Sequence, residues 1–441
     1  MNSIYDAFES VDKASWMARL EKDLKGVTFQ DLATKDNNNL TIHPFYTAED
    51  LSRIGPSYAA HPDWDIITKI VVLNVQSAND TALQLLSAGV NGLHFVLNEN
   101  VDFNILLNDI NLPFIHTRFS ITGAFDTNMV ALQQYVQQAQ YNWDELPLFI
   151  QYDPVITALY NNEVCNWDSW STYIKKYNGV YTFCVDGTIY KNAGANSVYT
   201  LALIASHCNE YLHHIASNNL QEYTQKITIN YTVSTLFFEE IAAIRALKQM
   251  LDTLLQQYNM SSCNIHLHIE TSSIYKSSLD IYSNLLRDTI AGMSAVLGGC
   301  TSLSITAFDY TVAATNPFGY RMSKNIQLLY KEEAYLNKVN DVAKGSYYIE
   351  HLTQAIAQKA WRSFQSIEQN GGLLAQQNVV FDSIQHQANQ LIKDYKDGKK
   401  ILIGVNKFPN PNDNTNTINI SLDKKHILDP IQITPAILAE K

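Results

Sequence analysis

Cysteine is scarce in this 441-residue chain. The five residues Cys165, Cys184, Cys208, Cys263 and Cys300 are odd in number, widely scattered and never spaced as C-x-x-C. A disulfide framework and a thiolate metal knuckle are thereby excluded as organising features, and reduced core thiols are expected. Charge is sparse as well: charged residues make up 17% of the chain, and 43 acidic against 31 basic side chains give a net charge of −12. Such a balance opposes a phosphate-gripping basic surface, so nucleic acid is not an expected partner. No eighteen uncharged apolar residues follow one another, and the opening MNSIYDAFESVDKASW has no basic stretch leading into an apolar run. Neither a membrane span nor a secretory leader is expected, and a cytoplasmic location is. The common catalytic fingerprints G-x-G-x-x-G, the phosphate loop ending in GK[ST], H-E-x-x-H and G-x-S-x-G are all missing, which removes the assignments they carry.

What the chain does have is 46% hydrophobic residues, enough for a large core, and a strongly repeated pattern. Short β-rich runs begin near Ile66, Leu93, Phe114, Leu148, Val180, Ile227, Asn264 and Ser302, each followed by a stretch of helical period. In TLFFEEIAAIRALKQMLDTLLQQY, for example, Leu236, Phe237, Ile241, Ile244, Leu247, Leu251 and Leu254 fall on one broad face, as a helix covering a sheet requires. Asn79 and Asp80, before TALQLLSAG, are candidate helix caps. Eight strand-then-helix units with right-handed crossovers predict an α/β fold of the (β/α)8 TIM-barrel type. An open doubly wound sheet is the alternative, because periodicity carries no information on closure. Residues 1–60 read as an N-terminal arm too small for a core of its own, 61–372 as the barrel, and 373–441 as a C-terminal extension and tail.

Within the strands the alternation is unusual. In strand seven Asn264, His266, His268 and Glu270 alternate with Ile265, Leu267 and Ile269; in strand six Thr228, Asn230, Thr232 and Ser234 oppose Ile227, Ile229, Tyr231 and Val233. Strand eight offers Ser302, Ser304 and Thr306, strand five Thr182, Cys184 and Asp186, and strand three His116, Arg118 and Ser120. If the apolar faces meet the outer helices, the polar faces line the barrel's inside, where branched apolar side chains are usual. An interior of this kind must hydrogen-bond to itself, hold water or hold a polar ligand, because an unpaired buried polar group costs about 1–3 kcal/mol. By position, chemistry at the C-terminal strand ends would fall to Asp153, Asp186, Ser234, His268, Glu270, Thr271, Ser272 and Asp309. Asp186 and Glu270 form a candidate acid/base pair, although carboxylates there also cap the next helix. His268 beside Glu270 invites a metal reading, but the spacing names no third ligand and a structural hydrogen bond is the simpler expectation. The doublet His213 and His214, near a helix end, reads as surface.

Taken continuously, NLLRDTIAGMSAVLGGCTSLSITAFD and RMSKNIQLLYKEEAYLNKVNDVAKGSYYIEHLTQAIAQKAW resemble the methylmalonyl-CoA mutase family. DLKG near the N-terminus, AGA at Ala193–Ala195, EYL at Glu210–Leu212, FFEEIAAIRAL, ETSS and IGVNKFP agree with it, so that the resemblance runs from about Trp16 to Pro409. It implies an adenosylcobalamin-dependent radical interconversion of methylmalonyl-CoA and succinyl-CoA inside a barrel whose polar interior admits the pantetheine chain. It also implies a flavodoxin-like domain with a D-x-H-x-x-G signature, and this sequence contains no such signature. The chain itself is therefore expected to bind neither cofactor nor metal.

The family's Gly-Tyr-His-Met-Gln-Glu-Ala-Gly pattern reads GTIYKNAG here, with Thr188 at the tyrosine position and Ile189 at the histidine position; isoleucine handles no proton. The His-Ser-Gln-Thr-Ser pattern becomes HIETS, keeping His268, Thr271 and Ser272 but placing Glu270 where glutamine stands, and a carboxylate there would oppose an anionic substrate. IHPFYTAEDLSRIG carries no counterpart of the family's adenosyl-displacing tyrosine and is similar to the corresponding stretch of small, non-catalytic subunits. The resemblance thus implies a small (β) subunit without catalytic residues of its own, paired as a heterodimer with a large subunit that holds adenosylcobalamin. His116, Arg118, Asp186, Asn230, His266, His268, Glu270 and Ser304 are then the candidates for a barrel-interior or vestigial substrate site. The alternatives are a barrel chain of a split acyl-CoA mutase with its own activity, and a non-catalytic acyl-CoA binding module.

Overall fold

The computed structural model describes residues 11–51, 63–312, 316–413 and 424–438. Eight parallel strands form the centre: β1 (Asp65–Val71), β2 (Gly92–Leu97), β3 (His116–Ile121), β4 (Leu148–Gln151), β5 (Phe183–Asp186), β6 (Lys226–Val233), β7 (Asn264–Thr271) and β8 (Ser302–Ser304). Their order, β4-β3-β2-β1-β8-β7-β6-β5, leaves two edges, and a parallel bridge between Phe149 and Tyr181 joins them. There the Tyr181 carbonyl accepts from Ile150 N at 2.9 Å and Tyr181 N donates to Leu148 O at 3.0 Å. The sheet is thus closed as a (β/α)8 barrel, and the open-sheet alternative falls away.

The predicted strands occur in the predicted order, with shifts at their ends. The run from Phe114 begins as a 3-10 turn, Leu112–Phe114, because Pro113 fixes its own φ and has no N–H to donate; the strand starts at His116. The first apolar run overshoots: Asn74 ends it by accepting from Ser77 N and capping the helix Val75–Ser87. Asn79 is therefore no cap. It lies buried inside that helix, donating to the carbonyls of Leu106 and Asn108.

The apolar strand faces point outward, as alternation requires. Ile227, Ile229, Tyr231 and Val233 of β6 are buried against the helices, each such side chain contributing about 1.5–3 kcal/mol. The helix Phe237–Gln257 packs with them through Ile244, Leu247, Leu251 and Leu254. Within the barrel, by contrast, Ile67, Phe149 and Cys184 are buried yet stand apart from the main apolar cluster. All five cysteines are free, and four of them are buried.

Residues of the arm dock on the barrel's own outer helices. Tyr46 packs on Tyr348 and His351, with ring centroids 5.5 and 4.8 Å apart, and Val198 N donates to the Asn38 side chain at 3.0 Å. At the other end, Ala388, Tyr395, Leu402, Val405, Ile431, Ile433 and Ile437 form a second apolar cluster with Ile274, which follows β7. Ile431 N donates to Asn192 O at 2.9 Å, so this extension is seated on the loops after β5 and β7. Among the described residues no helix is long and apolar enough to cross a membrane.

Candidate functional site

The barrel interior is polar, as the strand alternation requires, and it is organised in tiers. At the N-terminal end His116 stacks on Phe149 with centroids 3.9 Å apart and meets His266 edge-on at 4.7 Å. The Nδ1 of His116 lies 2.9 Å from Asp65 Oδ2. Above them, Arg118 donates from Nη2 to Asn230 Oδ1 at 2.7 Å and lies over the Phe149 ring. Ser302 Oγ is shared by His266 Nε2 at 2.8 Å and His268 Nδ1 at 2.7 Å. Ser304, on β8 opposite Glu270, is buried.

Nearer the C-terminal mouth a chain of hydrogen bonds crosses from β2 to β5. His94 Nε2 lies 2.7 Å from Ser120 Oγ, Ser120 donates to Gln151 Oε1, Gln151 Nε2 donates to Asp186 Oδ2 at 2.7 Å, and Thr188 Oγ1 donates to Asp186 Oδ1 at 2.6 Å. Glu270 sits opposite, 2.7 Å from Lys69 Nζ through Oε2. Asp186 and Glu270 do not share a hydrogen bond; each has its own partners. Burial, with Glu270 nearby, pushes the Asp186 carboxyl up, although Thr188 opposes the shift. For Glu270 burial also acts upward, but the Lys69 ammonium holds it well below the usual carboxylate range. Lys69 thus neutralises the carboxylate expected to repel an anion. Burial, then Lys69 and Arg118, drives His94 well below an ordinary imidazole; burial and then Arg118 bring His268 down to about 4. Both rings are neutral at pH 7.

The remaining strand-end candidates take part in local hydrogen bonds. Asp153 caps the helix Pro154–Asn161 through Ile156 N and receives Tyr211 Oη at 2.8 Å, with His207 Nε2 at 3.0 Å. Ser234 donates to Glu240, Ser272 to Asn192, and Asn316 to Asp309. Thr271 Oγ1 accepts from Thr306 N at 3.1 Å. His213 is exposed, but His214 is half-buried, stacking on Trp167 at 4.7 Å beside Ser171, so only half of that doublet is surface.

The segment Gly187–Gly194, which carries the departures at Thr188 and Ile189, forms the short helix Thr188–Asn192. Thr188 N and Oγ1 both donate to Asp186, and Ile189 packs against the main core. Lys191 runs outward from the barrel to Glu240, 2.6 and 2.7 Å from its two oxygens, and to Tyr231 Oη at 2.7 Å.

Three positions of this network escaped the sequence reading: Lys69, His94 and Gln151. In IITKIVV and LHFVLN the charged Lys69 and the imidazole of His94 interrupt an apolar run, and that interruption was the available signal, since a polar side chain at an inward position of a buried strand needs a partner. Six buried polar atoms of the interior have no partner: Arg118 Nε and Nη1, His116 Nε2, Thr228 Oγ1, His94 Nδ1 and His268 Nε2.

The profile of the family described as Methylmalonyl-CoA mutase matches residues 73–430. The methylmalonyl-CoA mutase small subunit of Porphyromonas gingivalis is 31% identical over 443 residues, covering 92% of this chain and 71% of that protein. The methylmalonyl-CoA mutase of Rhizobium meliloti is 24% identical over 455 residues, 89% of this chain and 63% of its own length. The methylmalonyl-CoA mutase large subunit of Propionibacterium freudenreichii is 27% identical over 245 residues, covering 54% of this chain and 33% of that protein. The chain belongs to the methylmalonyl-CoA mutase family.

Proposed function

We propose that this chain is the small, non-catalytic subunit of a heterodimeric, cytoplasmic adenosylcobalamin-dependent methylmalonyl-CoA mutase. It supports a large subunit that interconverts methylmalonyl-CoA and succinyl-CoA and holds the cofactor. The observation that carries this reading is the use made of Gly187–Gly194. Thr188 is tied to Asp186, Ile189 to the apolar core and Lys191 to Glu240, so no side chain of the segment offers a proton to a substrate inside the barrel. A corrin does not fit the interior either, since an eight-stranded barrel is just wide enough for side chains to fill.

The test is affinity capture of the tagged chain from its own cells, followed by size-exclusion chromatography, cobalamin assay and mutase assay of the eluate. A one-to-one complex with a larger, cobalamin-carrying chain that isomerises methylmalonyl-CoA is expected. Recovery of the chain alone, or a lone chain that turns over substrate with added adenosylcobalamin, would overturn the proposal.

A second reading draws on the unpartnered Arg118 Nε and Nη1, His116 Nε2 and Thr228 Oγ1. These are a polar lining for a ligand chain, as in a non-catalytic acyl-CoA binding module. Calorimetric titration with a CoA thioester separates the two: no heat beyond dilution removes the binding module and leaves the supporting subunit untouched.

A further inference from the structure

Three lone pairs converge near the mouth of the barrel, and the hydrogen-bond chain fixes why. Asp186, as a carboxylate, only accepts, so Gln151 must turn its amide NH2 toward it and its Oε1 toward Ser120. Ser120 has one proton, and Gln151 Oε1 takes it. His94 must then be the donor to Ser120 through Nε2–H. A neutral ring with its hydrogen on Nε2 has a bare lone pair on Nδ1, and that atom is buried without a partner.

On β7 Ser302 has one proton to share between two rings. Given to His266 Nε2, it leaves His268 Nδ1–H to donate to Ser302, and His268 Nε2, buried and without a hydrogen-bond partner, then carries a bare lone pair. The two nitrogens face one carboxylate oxygen: His94 Nδ1 lies 3.9 Å and His268 Nε2 3.5 Å from Glu270 Oε1. All three atoms fall within 4.8 Å of one another, and the two rings are nearly perpendicular, at 86°. Three acceptors facing one another repel unless a cation stands between them.

We propose that His94, His268 and Glu270 form a binding site for a late first-row divalent cation such as Zn2+, tying β2 to β7 inside the barrel. Two neutral imidazoles and one carboxylate oxygen are a recurrent ligand set for such ions, with one coordination position left open. Each imidazole is held by its other nitrogen on a serine, and the His94 serine leads through Gln151 to the Asp186 carboxylate. Ligand imidazoles are oriented by relays of this kind. The obstacle is Lys69, whose ammonium occupies Glu270 Oε2. Oε1 stays available, and the Lys69 side chain is 40% exposed, so it has a path to solvent when a cation arrives. Arg118 is directed to Asn230 instead. The proposal uses residues of this chain alone and does not depend on the supporting-subunit reading.

The test is titration of the metal-stripped full-length chain with Zn2+ by calorimetry and with Co2+ by visible absorption. One equivalent bound at micromolar or tighter Kd is expected, with Co2+ giving the d–d bands of a low-coordinate nitrogen and oxygen site. Glu270→Gln should weaken Zn2+ at least about tenfold, and Lys69→Met, which removes the competing ammonium, should tighten it by about as much. Absence of stoichiometric binding at about 100 μM would overturn the proposal. So would an affinity indifferent to Lys69→Met, which is the deciding variant if Glu270→Gln fails to fold.

Discussion

Replacing Lys191 with methionine keeps the length of the side chain and removes its charge. The Glu240 carboxylate, 0% exposed, would then retain Tyr231 Oη at 2.9 Å, Ser234 N at 2.9 Å and the Ser234 hydroxyl, but no cation. Breaking a buried ion pair from one side costs about 3–5 kcal/mol, because the remaining charge is left in a medium that solvates it poorly. For a chain of this size that loss lowers Tm by only about 4 °C, since the entropy of unfolding grows with length, so denaturant titration is the sharper assay. Glu240→Gln alone strands the ammonium; the double variant Lys191→Met with Glu240→Gln strands no charge. The double variant should therefore be at least about 2 kcal/mol more stable than the two single losses added together. A coupling under about 0.5 kcal/mol would refute the account of this segment as structurally committed, and with it the observation on which the supporting-subunit proposal rests.

Burial and then the neighbouring Glu240 raise the Glu239 carboxyl to about 7, so the folded chain keeps a proton that the unfolded chain releases near the ordinary 4.5. Stability should accordingly fall by about 3 kcal/mol as pH rises from about 4.5 to about 7 and then level off, and Glu239→Gln should remove that slope; an unchanged slope in paired urea titrations contradicts the assignment. Gly194 has φ +114°, and a Cβ there would stand 2.5 Å from that of Ala388. Gly194→Ala should cost about 1–3 kcal/mol and speed proteolytic cleavage within the C-terminal extension, whereas unaltered cleavage would mean that the extension is not seated on this loop. Introducing Thr188→Tyr and Ile189→His together should give no mutase turnover by the isolated chain with added adenosylcobalamin; measurable succinyl-CoA would contradict the supporting-subunit reading.

The barrel was legible because its signals are periodic. Strands of one polar and one apolar face, spaced by helical stretches, allow few packings, and β6 and β7 pair over eight residues from Lys226–Asn264 to Val233–Thr271 as alternation leads one to expect. Closure was not legible, since it rests on two backbone hydrogen bonds around Tyr181, and backbone bonding leaves no trace in side-chain order. The interior was legible only in part. His116, Arg118, His266 and His268 announced themselves by alternation, but Lys69, His94 and Gln151 did not, because β1, β2 and β4 carry too few polar residues to establish a period of two.

That difference bears on how the fold has been used. On β6 and β7 nearly every inward position is polar, and Asn230, His266 and His268 bond to Arg118 and Ser302 on other strands. On β1, β2 and β4 only one polar residue per strand faces inward at this level of the barrel, and these three residues, Lys69, His94 and Gln151, are the ones that reach across to Glu270, Ser120 and Asp186. A residue that only filled space at those positions would be better apolar, since desolvating an amide, an imidazole or an ammonium has to be offset by good hydrogen bonds. Their convergence on one level of the barrel, with two imidazole nitrogens left unpartnered there, distinguishes a site from a plug. The GTIYKNAG segment, meanwhile, shows the opposite use: polar side chains at a mouth where chemistry is expected are turned aside into caps and ion pairs. A barrel can therefore commit the polar groups after β5 to caps and ion pairs while leaving imidazole nitrogens open between β2 and β7.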